Sequence, residues 1–199
     1  MILENAIYFL ALINPVSKVF VLSSANPPFQ KKELRSVCLR STLVAAVILG
    51  VLSGVGSWIL SVVFHVEIYS LKVAGGVVLF IIGLTAMRKG TFFEQDLDGQ
   101  KTDISIVPLA APLIAGPGAM TAAIAFSAVN GFWRTSVSLL IALACNHVIM
   151  LASLWIGKVL EKLNATGPLI RISGLIVAAV AVQMIFQGTS EWLGKVLHP

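Results

Sequence analysis

The 199 residues are 57% apolar and only 12% charged, with a mean hydropathy of +0.93, against roughly 45–50% apolar and 25% charged in soluble domains. That balance excludes a water-soluble enzyme or binding domain and puts the chain in lipid. The net charge of +5 is spread over short segments beside apolar runs, so orientation in a membrane explains it better than nucleic acid does.

Six membrane spans are predicted, each near the ~20 residues that cross a ~30 Å hydrocarbon core. The first, Leu3–Ala25, carries Lys18 inside it and Asn14-Pro15 at its middle. It lacks a basic leader and a small-residue cleavage pattern, so it is expected to stay in the mature protein. The second, Ser41–Phe64, is free of charge and holds Gly50 and Gly54, a four-residue glycine spacing that reads as helix packing. The third, Ile68–Met87, has Lys72 near its start, where a lysine stem can snorkel to the headgroups. A polar stretch, Arg88–Asp103, reads as a cytoplasmic linker.

The fourth span, Ile104–Trp133, contains Pro108, Pro112, Gly116, Pro117 and Gly118 and can hardly be one continuous helix. The fifth, Thr135–Gly157, has Asn146 and His147 at mid-span, and the sixth, Ile172–Ser190, holds Gln183. Cys38 and Cys145 form no ligand or disulfide framework and read as packing residues.

Two internal echoes divide the chain. Pro15 and Pro117 lie 102 positions apart, each in a tight-turn setting inside an apolar run, and Leu71-Lys72-Val73-Ala74-Gly75 is echoed 99 positions on by Ile170-Arg171-Ile172-Ser173-Gly174. The expected fold is therefore all-α, one membrane domain over 1–199, with repeat one at 1–87, a linker at 88–103 and repeat two at 104–199. Three spans is an odd number, so the repeats are inverted, a recurrent plan for secondary transporters. The first, third and fifth connections hold most of the basic residues, so both termini are expected outside the cytoplasm of a cell (inner) membrane.

Both breaks are expected near the bilayer centre, where irregular backbone is tolerated only inside protein or along a cavity. Half-helices starting after Pro15 and Pro117 would offer N–H groups and a positive dipole end to a carboxylate. The carbonyls before them, at Ile13, Asn14, Ala115 and Gly116, could accept from an ammonium. Opposed donors and acceptors suit a zwitterion, and the small residues at the second break suit a small one. The candidate binding residues are Asn14, Pro15, Ser17, Lys18, Ala115, Gly116, Pro117, Gly118, Ala119 and Thr121. Asn146, His147 and Gln183 are the polar groups of the core, open to coupling or plain interhelical bonding. Every acidic residue falls at a span end or in a loop, which counts against a pump for cationic drugs. No nucleotide-binding, zinc-protease or nucleophile-elbow motif is present, so no enzyme and no cofactor are expected. Coupling to Na⁺ or H⁺ and assembly as a homo-oligomer stay open.

At these residues the chain resembles the MarC family of bacterial and archaeal membrane proteins. Pro112-Leu113-Ile114-Ala115-Gly116-Pro117-Gly118-Ala119 looks like the family's P-L-x-A-G-P-G-A stretch, and Asn14-Pro15-Val16 with Lys18 looks like its N-P-x-G-K pattern, Ser17 standing where glycine is usual. The resemblance implies six helices in two inverted repeats and transport of small neutral amino acids such as glycine and alanine. Export of other small metabolites or antimicrobial compounds, and a non-transport scaffold, are the competing expectations.

Overall fold

The computed structural model describes residues 1–23, 29–90 and 114–197, and among these every regular element is helical. Helices α1 (Ile2–Ile13) and α2 (Pro15–Ser23) form the first span, broken at Asn14. Helix α3 (Lys31–Trp58) continues into a π-helical turn, Ile59–Val63, and α4 (Ile68–Lys89) follows. Next come α5 (Pro117–Asn130), α6 (Phe132–Leu151), α7 (Ser153–Lys162) and α8 (Thr166–Leu197).

Five of the described helical stretches are long and apolar enough to cross a membrane: Ile2–Ser23, Lys31–Val63, Ile68–Lys89, Phe132–Leu151 and Thr166–Leu197. The first third of the expected fourth span, 104–113, and the 91–103 part of the expected linker lie outside the described residues; α5, with 14 residues, is the α-helix of that span's described part. Gly131, at φ +84°, closes α5, and α6 begins at Phe132 rather than at Thr135. Helix α3 starts ten positions before the expected span because Gln30 and Glu33 form a capping box, Glu33 Oε2 accepting from the Gln30 N–H at 3.0 Å.

The outer surface is apolar, with Val47, Leu140, Leu175 and Trp155 all exposed. In water such a surface would be a liability; in a bilayer it is the lipid-facing wall. The core is small-sided: Ala45, Ala115, Ala119, Ala122, Ala123, Ala142 and Ala181 are buried among Phe9, Leu22, Leu49, Leu143 and Met150. With no hydrophobic driving force between helices in lipid, close approach at small residues supplies the packing.

The closest pair is α4 with α8, which run antiparallel. A Cβ on Gly83 would stand 2.7 Å from the Gly174 carbonyl oxygen, one on Gly76 2.9 Å from that of Ala181, and one on Gly188 2.6 Å from that of Tyr69. The small residues recur every seven positions, Gly76 and Gly83 on one helix and Gly174, Ala181 and Gly188 on the other. Of the expected packing glycines, Gly54 meets the Phe132 ring of α6 at 3.5 Å, whereas Gly50 has no neighbour within 4 Å among the described residues.

Two ion pairs fasten one end of the α4–α8 pair, Lys72 to Glu191 at 2.5 Å and Lys195 to Glu67 at 2.7 Å. Lys72 is therefore buried against α8 and does not snorkel. Its echo, Arg171, is exposed, so the two are not equivalent in burial.

Burial repeats along the chain more faithfully than sequence does. The buried α3 residues Leu34, Cys38, Ser41, Ala45, Leu49 and Gly56 recur, 101 positions later, as Thr135, Leu139, Ala142, Asn146, Met150 and Gly157 of α6 and α7, all buried. One contact recurs with them. A Cβ on Gly56 would collide with Ile124 of α5, and one on Gly157 would collide with Ser23 of α2; both partners are also 101 positions apart.

Candidate functional site

Asn14 takes the left-handed conformation, φ 53° and ψ 79°, and its N–H bonds the Leu10 carbonyl as the last turn of α1 closes. Asparagine tolerates this region better than most residues, and Pro15 then opens α2 without losing a needed N–H. The same logic operates at the second break. Gly116 is the extended N-cap of α5 and Pro117 its first residue. The N–H groups of Gly118 and Ala119 therefore have no acceptor inside α5.

The two breaks are neighbours. Tyr8 and Phe9 of α1 stack against Phe126 of α5 with ring centroids 5.2 and 5.4 Å apart. At the other end of the contact a Cβ on Gly118 would lie 3.2 Å from Leu12 Cδ2 and 2.9 Å from both methyls of Leu79. Helices α1 and α5 thus pass antiparallel, with the end of one beside the start of the other. The expected roominess of the second break is taken up: Ala115, Gly118 and Ala119 are buried in the packed core, and leucine side chains cover Gly118.

Lys18 is the largest polar side chain at the break and is 1% exposed. Its Nζ donates to the Ile13 carbonyl and, at 3.3 Å, to that of Asn14. Ser17 Oγ also donates to the Asn14 carbonyl, at 2.8 Å. Of the carbonyls expected to receive a ligand's ammonium, those of Ile13 and Asn14 are thus held by the chain's own ammonium and hydroxyl, and that of Gly116 accepts from the Met120 N–H. A cation at a helix C-terminus meets the negative end of the macrodipole, so the lysine stem folds back instead of reaching for headgroups. The Asn14 Nδ2 is buried and has no hydrogen-bond partner among the described residues, an open donor beside the break.

Thr121 is buried on α5 and packed onto Gly75 of α4, where a Cβ would collide with its hydroxyl. Asn146 is fully buried on α6; its Nδ2 lies 3.1 Å from Met150 Sδ, and its Oδ1 has no partner. Two contacts bracket its depth. Ser138 Oγ donates to the Ile2 carbonyl at 3.0 Å, and Gly157 meets Ser23, so α6 and α7 run alongside α1 and α2. Interpolating between them sets Asn146 within about a turn of Asn14 along the pair.

His147 lies elsewhere. It is half-buried on the α3–α6 seam, with Nδ1 3.1 Å from Thr42 Oγ1. That hydroxyl also donates to the Cys38 carbonyl at 2.8 Å, so the imidazole is bonded to a neighbouring helix. Gln183 is exposed on α8, on the side opposite the buried Ala181, Met184 and Gly188, and is not a core group. Cys38 is buried as packing, whereas Cys145 is exposed. Sequence reasoning missed the leucines over Gly118 and the partner of Lys72. An acid on the same face near the end of the last helix was the available signal for the latter. The described acidic residues, Glu4, Glu33, Glu67, Glu161 and Glu191, are all exposed.

Comparison with known proteins gives these features a family. The family described as "MarC family integral membrane protein" matches residues 1–193. The UPF0056 membrane protein PH0214 of Pyrococcus horikoshii is 35% identical over 187 residues, covering 94% of this chain and 92% of that protein. The UPF0056 membrane protein MJ1677 of Methanocaldococcus jannaschii is 29% identical, covering 89% and 90%, and YvbG of Bacillus subtilis is 26% identical, covering 89% of each. No solved structure matches. With a full-length family match on a helical, lipid-facing chain broken at two prolines, this protein belongs to the MarC family of integral membrane proteins.

Proposed function

We propose that this protein is a secondary transporter of small neutral amino acids, glycine and alanine first, working by alternating access with the substrate held where α1–α2 and α5 break. The observation that carries the reading is the adjacency of the two breaks, Leu12 beside Gly118, each followed by a proline-initiated helix. A carboxylate at this point would meet the N–H groups of Gly118 and Ala119, the open Asn14 amide and the Lys18 ammonium, all of them donors. Since Lys18 already holds the Ile13 and Asn14 carbonyls, the substrate's own ammonium would turn to other acceptors, such as the Ala115 carbonyl at the second break and the buried Asn146 Oδ1. A neutral zwitterion is favoured over an anion because only the zwitterion uses both.

The inverted-repeat plan is supported by the recurrence of burial at a spacing of 101 and by the paired contacts Gly56–Ile124 and Gly157–Ser23. Equivalent halves that swap conformations are how such transporters alternate. The basic residues Lys31, Lys32, Arg35, Arg88, Lys89, Lys158 and Lys162 sit at one end, which supports a topology with that end in the cytoplasm and both termini outside.

Counterflow of labelled glycine and alanine in proteoliposomes tests the proposal without knowledge of a coupling ion. Asn14→Gly is the control of choice, because glycine keeps the positive φ at no steric cost while removing the amide. We expect saturable exchange in the parent chain and at least a ~10-fold loss in a folded Asn14→Gly, the size of one charge-assisted hydrogen bond. Absence of exchange by folded parent protein would remove the amino acid reading.

A further inference from the structure

A cavity of about 240 Å³ lies between α2, α7 and the start of α8. Its α2 wall is Val16, Val19, Phe20 and Ser23, spaced as one helix face that runs the whole of α2, from the residue after Pro15 to the helix end. The facing wall includes Leu160, Thr166 and Leu169. Among the described residues the lining runs from Ser23, Glu161 and Thr166, at the end of the molecule where the basic residues gather, to Val16, one residue from the first break. Glu161 is the acidic residue of the lining and is exposed.

The equivalent region at the opposite end is packed. There α5 takes the place of α2, the end of α3 that of α7, and the start of α4 that of the start of α8. Ile124 abuts Gly56 and Thr121 abuts Gly75, so closely that neither glycine has room for a Cβ. The Gly157–Ser23 contact that mirrors Gly56–Ile124 is made as well, and both of its residues line the cavity. Among the described residues the two halves therefore differ in that one carries a cavity along the whole of α2 down to the break, whereas in the other Thr121 is seated on Gly75.

We infer that the α2–α7–α8 cavity is a water-filled passage from the cytoplasmic surface to the break at Asn14–Pro15, and that Thr121 of α5, seated on Gly75, forms the closed gate of the outer passage. The chain is then caught facing inward. The inference rests on the transporter reading for its purpose, but its geometry can be tested separately.

The experiment is thiol labelling of single-cysteine variants in a Cys38→Ala, Cys145→Ser background, in inside-out and right-side-out vesicles, with a membrane-impermeant methanethiosulfonate. Phe20→Cys and Leu169→Cys stand on opposite walls, so loss of folding in one leaves the other to report; Thr121→Cys probes the gate. We expect both wall cysteines to react at least 10-fold faster when the reagent is on the cytoplasmic face, and Thr121→Cys to stay unlabelled from the outside. Labelling of the wall cysteines from the outer face, or only by a lipid-soluble maleimide, would overturn the passage; rapid labelling of Thr121→Cys from the outside would overturn the gate. Counterflow on the same vesicles separates the two readings. Exchange of glycine with unreactive wall cysteines sinks the passage alone, whereas cytoplasmic labelling without exchange upholds the passage and sinks the amino acid reading.

Discussion

Lys18 shows how one residue's position decides what its charge can do. Six ångströms from the helix midpoint, a lysine stem can reach headgroups or turn back, and nothing in the local sequence separates the two. The break decides it. Left-handed Asn14 frees the carbonyls at the end of α1, and Lys18 caps those of Ile13 and Asn14 from one turn further on. Replacing Lys18 by methionine keeps the volume and removes the donor, so we expect a loss of about 1–3 kcal/mol, read as a melting temperature lower by several degrees in detergent. Lys18→Arg should recover only part of this, since a planar guanidinium does not fit a site shaped for a compact ammonium. An unchanged melting temperature for Lys18→Met would mean that the cap contributes nothing to stability. The site's residue types were legible at this scale because proline, asparagine and lysine are rare in apolar runs and each has few uses there. The leucines over Gly118 were not, because leucine at any apolar position looks like any other leucine.

Among the elements, the hydropathy pattern found the spans but not their ends. Helix α3 begins at Lys31 because of its capping box, and α8 runs on to Leu197, with Glu191 and Lys195 tied to Lys72 and Glu67 of α4; both are local polar devices that a count of apolar residues passes over. Packing was misread for a related reason. Glycines four apart stand out in a sequence, so Gly50 and Gly54 drew attention, whereas the α4–α8 seam uses small residues seven apart on two distant segments. These glycines give opposite expectations for the same substitution. Gly83→Ala forces a methyl against the backbone of Gly174 and Ala178, which cannot swing aside, and should cost about 1–3 kcal/mol as an overpacked core does. Gly50→Ala meets nothing within 4 Å and should stabilise by up to about 1 kcal/mol through helix propensity. Thermal unfolding of the two variants in the same detergent checks the pair. If Gly50→Ala were the damaging one, its face would be covered by a second copy of the chain.

For the molecule as a whole, the proposed repeat is marked in the sequence by two prolines and in the structure by burial that recurs at a spacing of 101, and the difference between these signals has a physical reason. A helix break needs particular residue types, so duplication leaves it readable; a packed face needs only small or apolar side chains, so its sequence drifts while its burial stays. That is why Leu34 and Thr135, or Ala45 and Asn146, occupy matching buried positions with no shared chemistry. The proposed inverted arrangement requires an odd number of crossings per half, which sets the side expected of each loop. Alkaline phosphatase, active only outside the cytoplasm, should be active when fused after Pro199 and inactive when fused after Asn164, in the turn between α7 and α8. A cytoplasm-dependent fluorescent fusion at the same points should give the reverse pattern. The Asn164 turn is flanked by Lys158, Lys162 and Arg171, the density that holds a loop inside; the outer end has Arg134, with Lys72 and Lys195 each bound to a glutamate. Phosphatase activity at both points or at neither would mean that α8 does not cross the membrane. The α4–α8 pair would then lack the antiparallel crossing on which the two-fold reading depends.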